Sequence, residues 1–345
     1  MKSLNFLSFF FVLTALYTPQ LFADDPNLNN QHQGGGVIQD CPDCKANNLD
    51  LVAQASELAA TLNAPFECVP GTSSESCMLI DWLKWKHQQY NKNCQGFFLD
   101  ADGKVGSFSQ ILSGLMIGDI KKNKEQSYFV NNNDQFKKYC PGFEKMTLNQ
   151  KLAFQGWIFE LTAFPENVCS NAKSVVKGVN SAAACMLQLN YPTNLRAFYS
   201  QAAKNADGTH ENHCAIAPKD LLTDRGCLGC GFDVYKWHMT KYDGKPFGEV
   251  ADGKKINGAY WASQNPLPPK ALACFEKYLD ANRDVKKDSK TGRPLFLINC
   301  KSLGANSEWT PRYKFFRRIQ KFPLCETDLA KQELEDLNKF RESKK

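Results

Sequence analysis

Apolar positions along this chain recur mainly with helical spacing. After a polar, glycine-rich stretch, apolar residues return every three or four positions from Leu49 to Leu62, and Pro65 ends the pattern. Such spacing puts the apolar side chains on one face of a helix. The segment 79–86 predicts a second helix, whereas strand-like runs such as 294–298 are few. The pattern therefore predicts a mainly α protein.

One later helix carries a clear start signal. Thr147 is followed three residues on by Gln150, the spacing of a capping box in which each side chain bonds the other residue's backbone N–H. Apolar residues then recur at helical spacing, namely Phe154, Trp157, Ile158 and Leu161.

The same helix is predicted to end near Pro165. Proline lacks the backbone donor and clashes with the preceding turn, at a cost of about 3 kcal/mol inside a helix. Glu166 is then expected at or just beyond the helix C-terminus, where the last carbonyls disfavour a carboxylate by about 0.3–1 kcal/mol. Burial beside Phe159 and Phe164 would raise its pKa further. A carboxylic acid that stays protonated near neutral pH can donate a proton to the leaving oxygen of a glycosidic bond.

Other segments predict turns and surface helices. The segment 100–103 lacks the glycine and glutamate that an EF-hand loop needs at its later positions, and is predicted to be a turn and not a calcium site. The polar run 131–134 is taken as a domain boundary. The basic, aromatic segment 314–322 is interpreted as a helix with one solvated face, and 327–345 as an amphipathic tail helix. No internal repeat is evident from the pattern.

The N-terminus has the pattern of an export signal. Residues 1–23 combine Lys2, an apolar run from Phe6 to Leu16 and a small residue, Ala23, at a candidate cleavage point. The run is too short to span a bilayer, which needs about 20 residues. We expect a secreted or periplasmic protein with a flexible leader at 24–47, a disulfide-rich and mostly helical region at 48–134, and a second domain at 135–326.

All 14 cysteines follow this segment, and export allows them to pair as disulfides. Cys68 and Cys77 bracket a turn and could pair locally. Zinc is the alternative, since 41–44 and 227–230 have ligand-like spacing, and His210, His213 and Cys214 lie between them. Zinc would need reduced thiols, which export disfavours. We expect no metal and no other cofactor.

Charge limits the classes of partner. The formal net charge of +6 gives a weak attraction to acidic polymers such as a cell wall, and shows no nucleic-acid signature. No further apolar stretch predicts a transmembrane segment. We expect a monomer.

Three short motifs, in order, resemble a known family. They are Phe154–Asn167, with its apolar helix leading to a lone carboxylate; Ala184–Tyr191, with a Met-Leu-Gln turn; and Gly258–Trp261. Together they resemble the lysozyme-like superfamily, and most closely the soluble lytic transglycosylases and goose-type lysozymes, which cut the glycan strands of peptidoglycan. The resemblance covers roughly 140–325.

The resemblance implies a site and a partner. Glu166 would be the single catalytic acid, and the partner would be peptidoglycan glycan strands. The predicted substrate-binding residues are Met186, Leu187, Gln188, Asn190, Tyr260 and Trp261. For Gln188 a buried structural amide, and for Tyr260 and Trp261 core packing, are the alternatives.

Two departures leave a second function open. The family usually has serine where this chain has Asn167, and glycine where it has Cys185. A catalytically inactive peptidoglycan-binding protein of the same fold is therefore the alternative. In the family one acid suffices when the sugar's own 6-hydroxyl attacks, whereas hydrolysis usually needs a second carboxylate or a positioned water. The motif region shows no convincing second carboxylate, which favours the transglycosylase product.

Two further expectations concern the neighbourhood of Glu166. The rival carboxylate Glu160 lies mid-helix and is predicted to be solvated or ion-paired. Cys169 and Cys185 lie close to the two motifs and are predicted to pair with each other. A loop of about 15 residues closed in this way would be stabilised by about 3 kcal/mol in the chain-entropy model.

Overall fold

A computed structural model describes residues 74–124, 127–129, 134–170, 176–177, 182–191, 212–216, 219–251, 254–259 and 261–344. The predicted export signal, the leader, the helix from Leu49 and the cysteines at 41, 44 and 68 lie outside these residues. Cys77 is disulfide-bonded.

The described chain is mainly helical, as the pattern predicts. The helices are α1 (Ser74–Gln89), α2 (Ser107–Asn123), α3 (Asp134–Tyr139), α4 (Leu148–Asn167), α5 (Asp224–Lys241), α6 (Pro269–Glu276), α7 (Leu295–Asn299), α8 (Trp309–Ile319) and α9 (Asp328–Glu342). The strands are short: β1 (Val176–Lys177), β2 (Ala182–Ala184), β3 (Leu189–Tyr191), β4 (Glu249–Ala251) and β5 (Lys254–Asn257). They form an antiparallel sheet in the order β1-β2-β3 and a separate β4-β5 pair.

Helix α4 begins as predicted and ends slightly later. Thr147 N–H donates to Gln150 Oε1 at 2.8 Å, and Gln150 N–H donates to Thr147 Oγ1 at 3.4 Å, which confirms the capping box. The helix continues past Pro165 to Asn167 and ends at Val168 in the left-handed region. Pro165 is therefore tolerated in the last turn.

Two cores hold the described residues together. The larger one collects buried apolar residues from Leu79 through Leu337, so it contains side chains from both sides of the proposed boundary at 131–134. The inner face of α4 lies within it, with Phe154 and Ile158 at most 1% exposed. The smaller core lies around Phe275, Phe296 and Trp309. Segment 267–309 thus has an apolar centre of its own.

The C-terminal helices confirm one prediction, confirm a second in part and correct a third. Helix α9 buries Ala330 and Leu337, as an amphipathic tail helix should; of the segment 314–322, residues 314–319 lie in α8, which buries Phe315 and Ile319, whereas 320–322 follow the helix. The interpretation of 294–298 as strand-like is wrong, because Leu295–Asn299 forms the short helix α7. Five apolar residues in a row fit either element. Here Phe296 is buried in the smaller core, and Leu297 is partly buried against it.

Disulfides connect distant parts of the described chain. The pairs are Cys94–Cys169, Cys140–Cys325, Cys185–Cys227, Cys214–Cys230 and Cys274–Cys300. The general prediction of disulfides is confirmed, whereas the predicted pair Cys169–Cys185 is wrong. Cys169 pairs with Cys94 and Cys185 pairs with Cys227 instead. A disulfide requires two Cα atoms that lie close together in the fold, whatever their separation along the chain.

An internal repeat, which the sequence pattern did not reveal, becomes evident from the backbone. Segments 94–105 and 274–285 each place a cysteine five residues before Leu-Asp-Ala, followed by Asp or Asn and, three residues later, by Val. In both segments the Leu and the Val form an isolated antiparallel bridge. The two segments therefore form the same structural unit.

Hydrogen bonds match between the two copies. Asp100 N–H donates to the Lys104 carbonyl at 3.0 Å, and Asp280 N–H to the Asp284 carbonyl at 2.9 Å. The side chain of each aspartate accepts the return N–H, at 2.8 Å from Lys104 and 2.9 Å from Asp284. These bonds define a turn at 100–103, as predicted. Only the first copy has glycine at the left-handed position, and the second has Arg283 with φ 63°.

No helix among the described residues is long and apolar enough to cross a membrane.

Candidate functional site

Glu166 lies in the last turn of α4 and is half-buried. Burial is the larger cause that raises the pKa of its carboxyl from 4.5 to about 7, and the negative charge of Glu308 raises it further. A substantial fraction of this carboxyl is therefore protonated near neutral pH, and the residue as a whole is not fully buried. This combination is what a proton donor to a bound substrate needs.

The backbone directly after Glu166 is strained. Val168 has φ 51° and Cys169 has φ 54°, values that non-glycine residues rarely adopt and β-branched residues such as valine least of all. The turn is closed by Val168 N–H to the Phe164 carbonyl at 2.9 Å, the 5→1 bond of an αL cap, and by Cys169 N–H to the Ala163 carbonyl at 3.2 Å. The Cys94–Cys169 disulfide fixes it to the 3₁₀ helix 92–97.

The second motif forms a strained turn of the same kind. Residues 185–188 connect β2 to β3, because Ala184 pairs with Leu189. Cys185 has φ 61° and Gln188 has φ 48°. The Cys185–Cys227 disulfide holds this turn against α5. Non-glycine residues in the left-handed region cost about 1–3 kcal/mol each and cluster at functional sites.

Met186 and Leu187 do not line a groove, contrary to the prediction that they bind substrate. Both are 0% exposed. Leu187 packs so closely on α5 that a Cβ at Gly231 would lie 2.2 Å from Leu187 Cδ1. These two side chains are buried because they are apolar and pack into the main core, where they stabilise the turn.

Gln188 is half-buried, and its Nε2 donates to the Cys185 carbonyl at 3.0 Å. This bond closes the turn. In the described contacts Gln188 therefore acts as a structural amide. The side-chain oxygen of Gln188 takes no part in this bond.

Trp261 is buried, with 4% of its surface exposed, and therefore offers no open face to a sugar ring. Its indole N–H donates to the Leu187 carbonyl at 2.9 Å. The alternative of core packing is thus what the structure shows. Trp261 connects the 185–188 turn to the 3₁₀ helix 262–264 that follows it.

A buried bond connects this 3₁₀ helix to α4. Gln264 Nε2 donates to Thr162 Oγ1 at 3.0 Å, and Thr162 Oγ1 donates to the Ile158 carbonyl at 2.9 Å. Both side chains are at most 2% exposed. Together with Trp261, Gln264 connects the Glu166 helix to the Cys185–Gln188 turn. Sequence reasoning missed both residues: Thr162 lies within the first motif but was not singled out, and Gln264 lies outside the three motifs.

Glu308 is a second carboxylate that sequence reasoning did not place near Glu166. It is half-buried and directly precedes α8. Helix α8 is held in place by Arg312, whose Nε donates to the Asn265 carbonyl at 2.6 Å. Glu308 lies 142 residues after Glu166 in the numbering, so only the fold brings the two charges within interaction range.

Glu160 corrects another prediction. It is 0% exposed, and neither carboxyl oxygen has a hydrogen-bond partner among the described residues, so it is neither solvated nor ion-paired. Burial raises its pKa to about 8, although the charges of Arg318 and Lys86 partly oppose the rise. Its complete burial keeps it from touching a polymeric substrate. It lies six residues, about one and two-thirds turns, before Glu166, on the inner face of α4.

No described grouping offers a free metal site. Cys94, Glu160 and Cys169 have ligand atoms within 4.8 Å of one another, but the two sulfurs are bonded to each other. Of the cysteines in the zinc alternative, Cys214, Cys227 and Cys230 lie in disulfides, whereas those at 41 and 44 lie outside the described residues. His213 Nδ1 lies 2.8 Å from Asp233 Oδ1.

Two predicted site residues cannot be placed. Tyr260 lies outside the described residues, and so does the side chain of Asn190, whose backbone pairs with Ala183 in the sheet.

Comparisons with protein-family models, with curated proteins and with solved structures gave no match.

Proposed function

We propose that this protein is an exported enzyme that cleaves the β-1,4 glycan link of peptidoglycan, with Glu166 as its acid. The observation that carries the proposal is the half-buried residue Glu166, whose carboxyl has its pKa raised to about 7. Protonated Glu166 donates its proton to the departing sugar oxygen. The carboxylate that remains then accepts a proton from the attacking hydroxyl.

The arrangement around Glu166 supports this proposal. Two strained turns, one after Glu166 and one at Cys185–Gln188, are each held by a separate disulfide. Strain that is held in place in this way is typical of sites where geometry matters to function. Export is supported by the N-terminal pattern and by the disulfides of the described residues.

Glu308 bears on the choice of product. A second carboxylate close to the acid can position or activate a water molecule, which leads to hydrolysis. The sequence alone favoured the anhydro product of a transglycosylase because no second carboxylate was evident. Mass spectrometry of the sugar ends distinguishes the two: an anhydro end identifies a transglycosylase, and a reducing end identifies a lysozyme.

The test compares wild type with Glu166→Gln on purified peptidoglycan. Glutamine keeps the size of the side chain but cannot supply the proton, so we expect turbidity loss to fall by about a hundredfold or more. Glu276→Gln, on the exposed end of α6, is the matched control and should cleave like wild type. If wild type binds the wall without cleaving it, the enzymatic proposal is wrong and the inactive wall-binding protein is favoured.

A further inference from the structure

The segment 286–303, called here the 286–303 surface, concentrates unpaired positive charge. Its basic residues are Lys286, Lys287, Lys290, Arg293 and Lys301, and all are exposed. None of them forms an ion pair with another described residue, whereas the only carboxylate in the segment is Asp288. Elsewhere in the described chain lysines such as Lys86, Lys137 and Lys236 are paired with carboxylates.

The same surface carries exposed apolar side chains. Among the described residues three large apolar side chains are exposed: Val168 at 43%, Ile298 at 48% and Leu303 at 43%. Two of the three therefore lie within six positions of each other, on α7 and the 3₁₀ helix 301–303 that follows it. Lys301 lies three residues after Ile298 and two before Leu303, so charge and apolar side chains alternate along this part of the chain.

The backbone beneath this surface is firmly held. Leu295 N–H donates to the Lys286 carbonyl at 2.9 Å and Asp288 N–H to the Arg293 carbonyl at 2.8 Å, which makes 286–295 a hairpin that leads into α7. The Cys274–Cys300 disulfide anchors the other end of α7. Under it, the Phe296 ring lies 4.7 Å from that of Phe275. The surface is thus presented by a small, independent core.

We infer that the 286–303 surface docks the protein onto an anionic lipid membrane. The basic residues are attracted to the headgroups, and Ile298 and Leu303 enter the boundary of the acyl chains. A lipid surface can bind both the basic and the apolar side chains. Stable attachment to a membrane normally needs both contributions, because either one alone binds weakly. A glycan would be recognised differently, through exposed aromatic faces. The segment contains a single aromatic residue, Phe296, which is 1% exposed.

Cosedimentation with lipid vesicles tests this inference. The protein is used as purified after export, and variants differ only at the named positions, so contributions from the rest of the chain are common to all. We expect wild type to bind phosphatidylcholine vesicles that contain one-third phosphatidylglycerol. Binding should weaken about tenfold or more on pure phosphatidylcholine, and at high salt, which screens surface charge.

Two double variants separate the contributions. Lys287→Glu with Arg293→Glu removes the attraction, and Ile298→Ser with Leu303→Ser removes the apolar contact. Each should lower vesicle affinity by about tenfold or more. Lys104→Glu with Lys121→Glu makes the same charge change on exposed residues elsewhere and should have little effect. Circular dichroism of each variant checks that the fold is retained.

Several results would overturn the inference. They are a wild type that does not bind the anionic vesicles, a wild type that binds neutral vesicles equally well, and surface variants that bind as wild type does. Binding to purified cell walls but not to vesicles would also overturn it, and would identify a glycan as the partner. None of these results depends on whether Glu166 cleaves peptidoglycan.

Discussion

At the scale of single residues, the two glutamates of α4 differ in access. Glu166 and Glu160 both have a pKa raised mainly by burial, yet only Glu166 reaches solvent. Burial of a carboxyl is thus insufficient to identify an acid catalyst, because the proton must also reach a substrate.

The proposed role of Glu166 predicts how cleavage depends on pH. In that role its carboxyl must be protonated to act as the acid, so activity should fall as the pH rises through about 7. Replacing Glu308 by Gln removes a negative charge that raises the pKa of Glu166, so the decline should move to lower pH. The pH profile of kcat measures this shift. An unchanged profile in Glu308→Gln would show that the two carboxyls do not interact.

Glu160 should make stability depend on pH. Its pKa is about 8 in the folded protein and about 4.5 when exposed, so the folded state binds the extra proton between these values. The free energy of unfolding should therefore fall as the pH rises from about 4.5 to about 8. The positive charges of Arg318 and Lys86 lower the pKa of this carboxyl and so limit the loss.

Glu160→Gln should remove this part of the pH dependence, since glutamine stays neutral. Denaturant unfolding at several pH values, compared between the variant and wild type, measures the difference. If the two curves run parallel across this range, Glu160 is not protonated in the folded protein.

At the scale of elements, the site depends on contacts between segments far apart in the chain. The Trp261 indole N–H bonds the Leu187 carbonyl, and Gln264 bonds Thr162, so one short 3₁₀ helix positions both α4 and the Cys185–Gln188 turn. A small displacement of such a support can cost about a hundredfold in rate.

Trp261→Phe should therefore lower kcat by about tenfold or more while KM changes little, because the phenyl ring cannot donate to the Leu187 carbonyl. Steady-state kinetics on soluble glycan fragments measure the two constants. Trp157→Phe is the matched control: Trp157 is equally buried, and its N–H bonds the Arg318 carbonyl instead. Equal kcat losses in both variants would mean that the effect is general destabilisation.

At the scale of the whole molecule, disulfides join segments that the chain separates widely. Cys140–Cys325 closes a separation of 185 residues, and Cys214–Cys230 one of 16. In the chain-entropy model these correspond to about 5 and about 3 kcal/mol of stabilisation. Cys140→Ala with Cys325→Ala should therefore destabilise the protein more than Cys214→Ala with Cys230→Ala. Denaturant unfolding of the two double variants measures both losses, and the reverse order would contradict the entropic account.

Local signals in the sequence determined a good part of this protein. Four features could be predicted because each depends on residues within a few positions of one another. They are the capping box at Thr147, the helical spacing of Phe154 to Leu161, the apolar stripe of α9 and the placement of Glu166 at a helix end. The internal repeat was also readable in principle, from the shared Cys and Leu-Asp-Ala spacing of 94–105 and 274–285.

Only the tertiary structure decided the rest. Four features depend on which distant segments pack together. They are the disulfide partners of Cys169 and Cys185, the burial of Glu160, the burial of Trp261 in the core, and the interaction of Glu308 with Glu166. Helical spacing tells which face of α4 is apolar, but not which residues another helix covers. Desolvation and charge interactions are set by that packing, so the chemistry of Glu166 is a property of the fold and not of its motif.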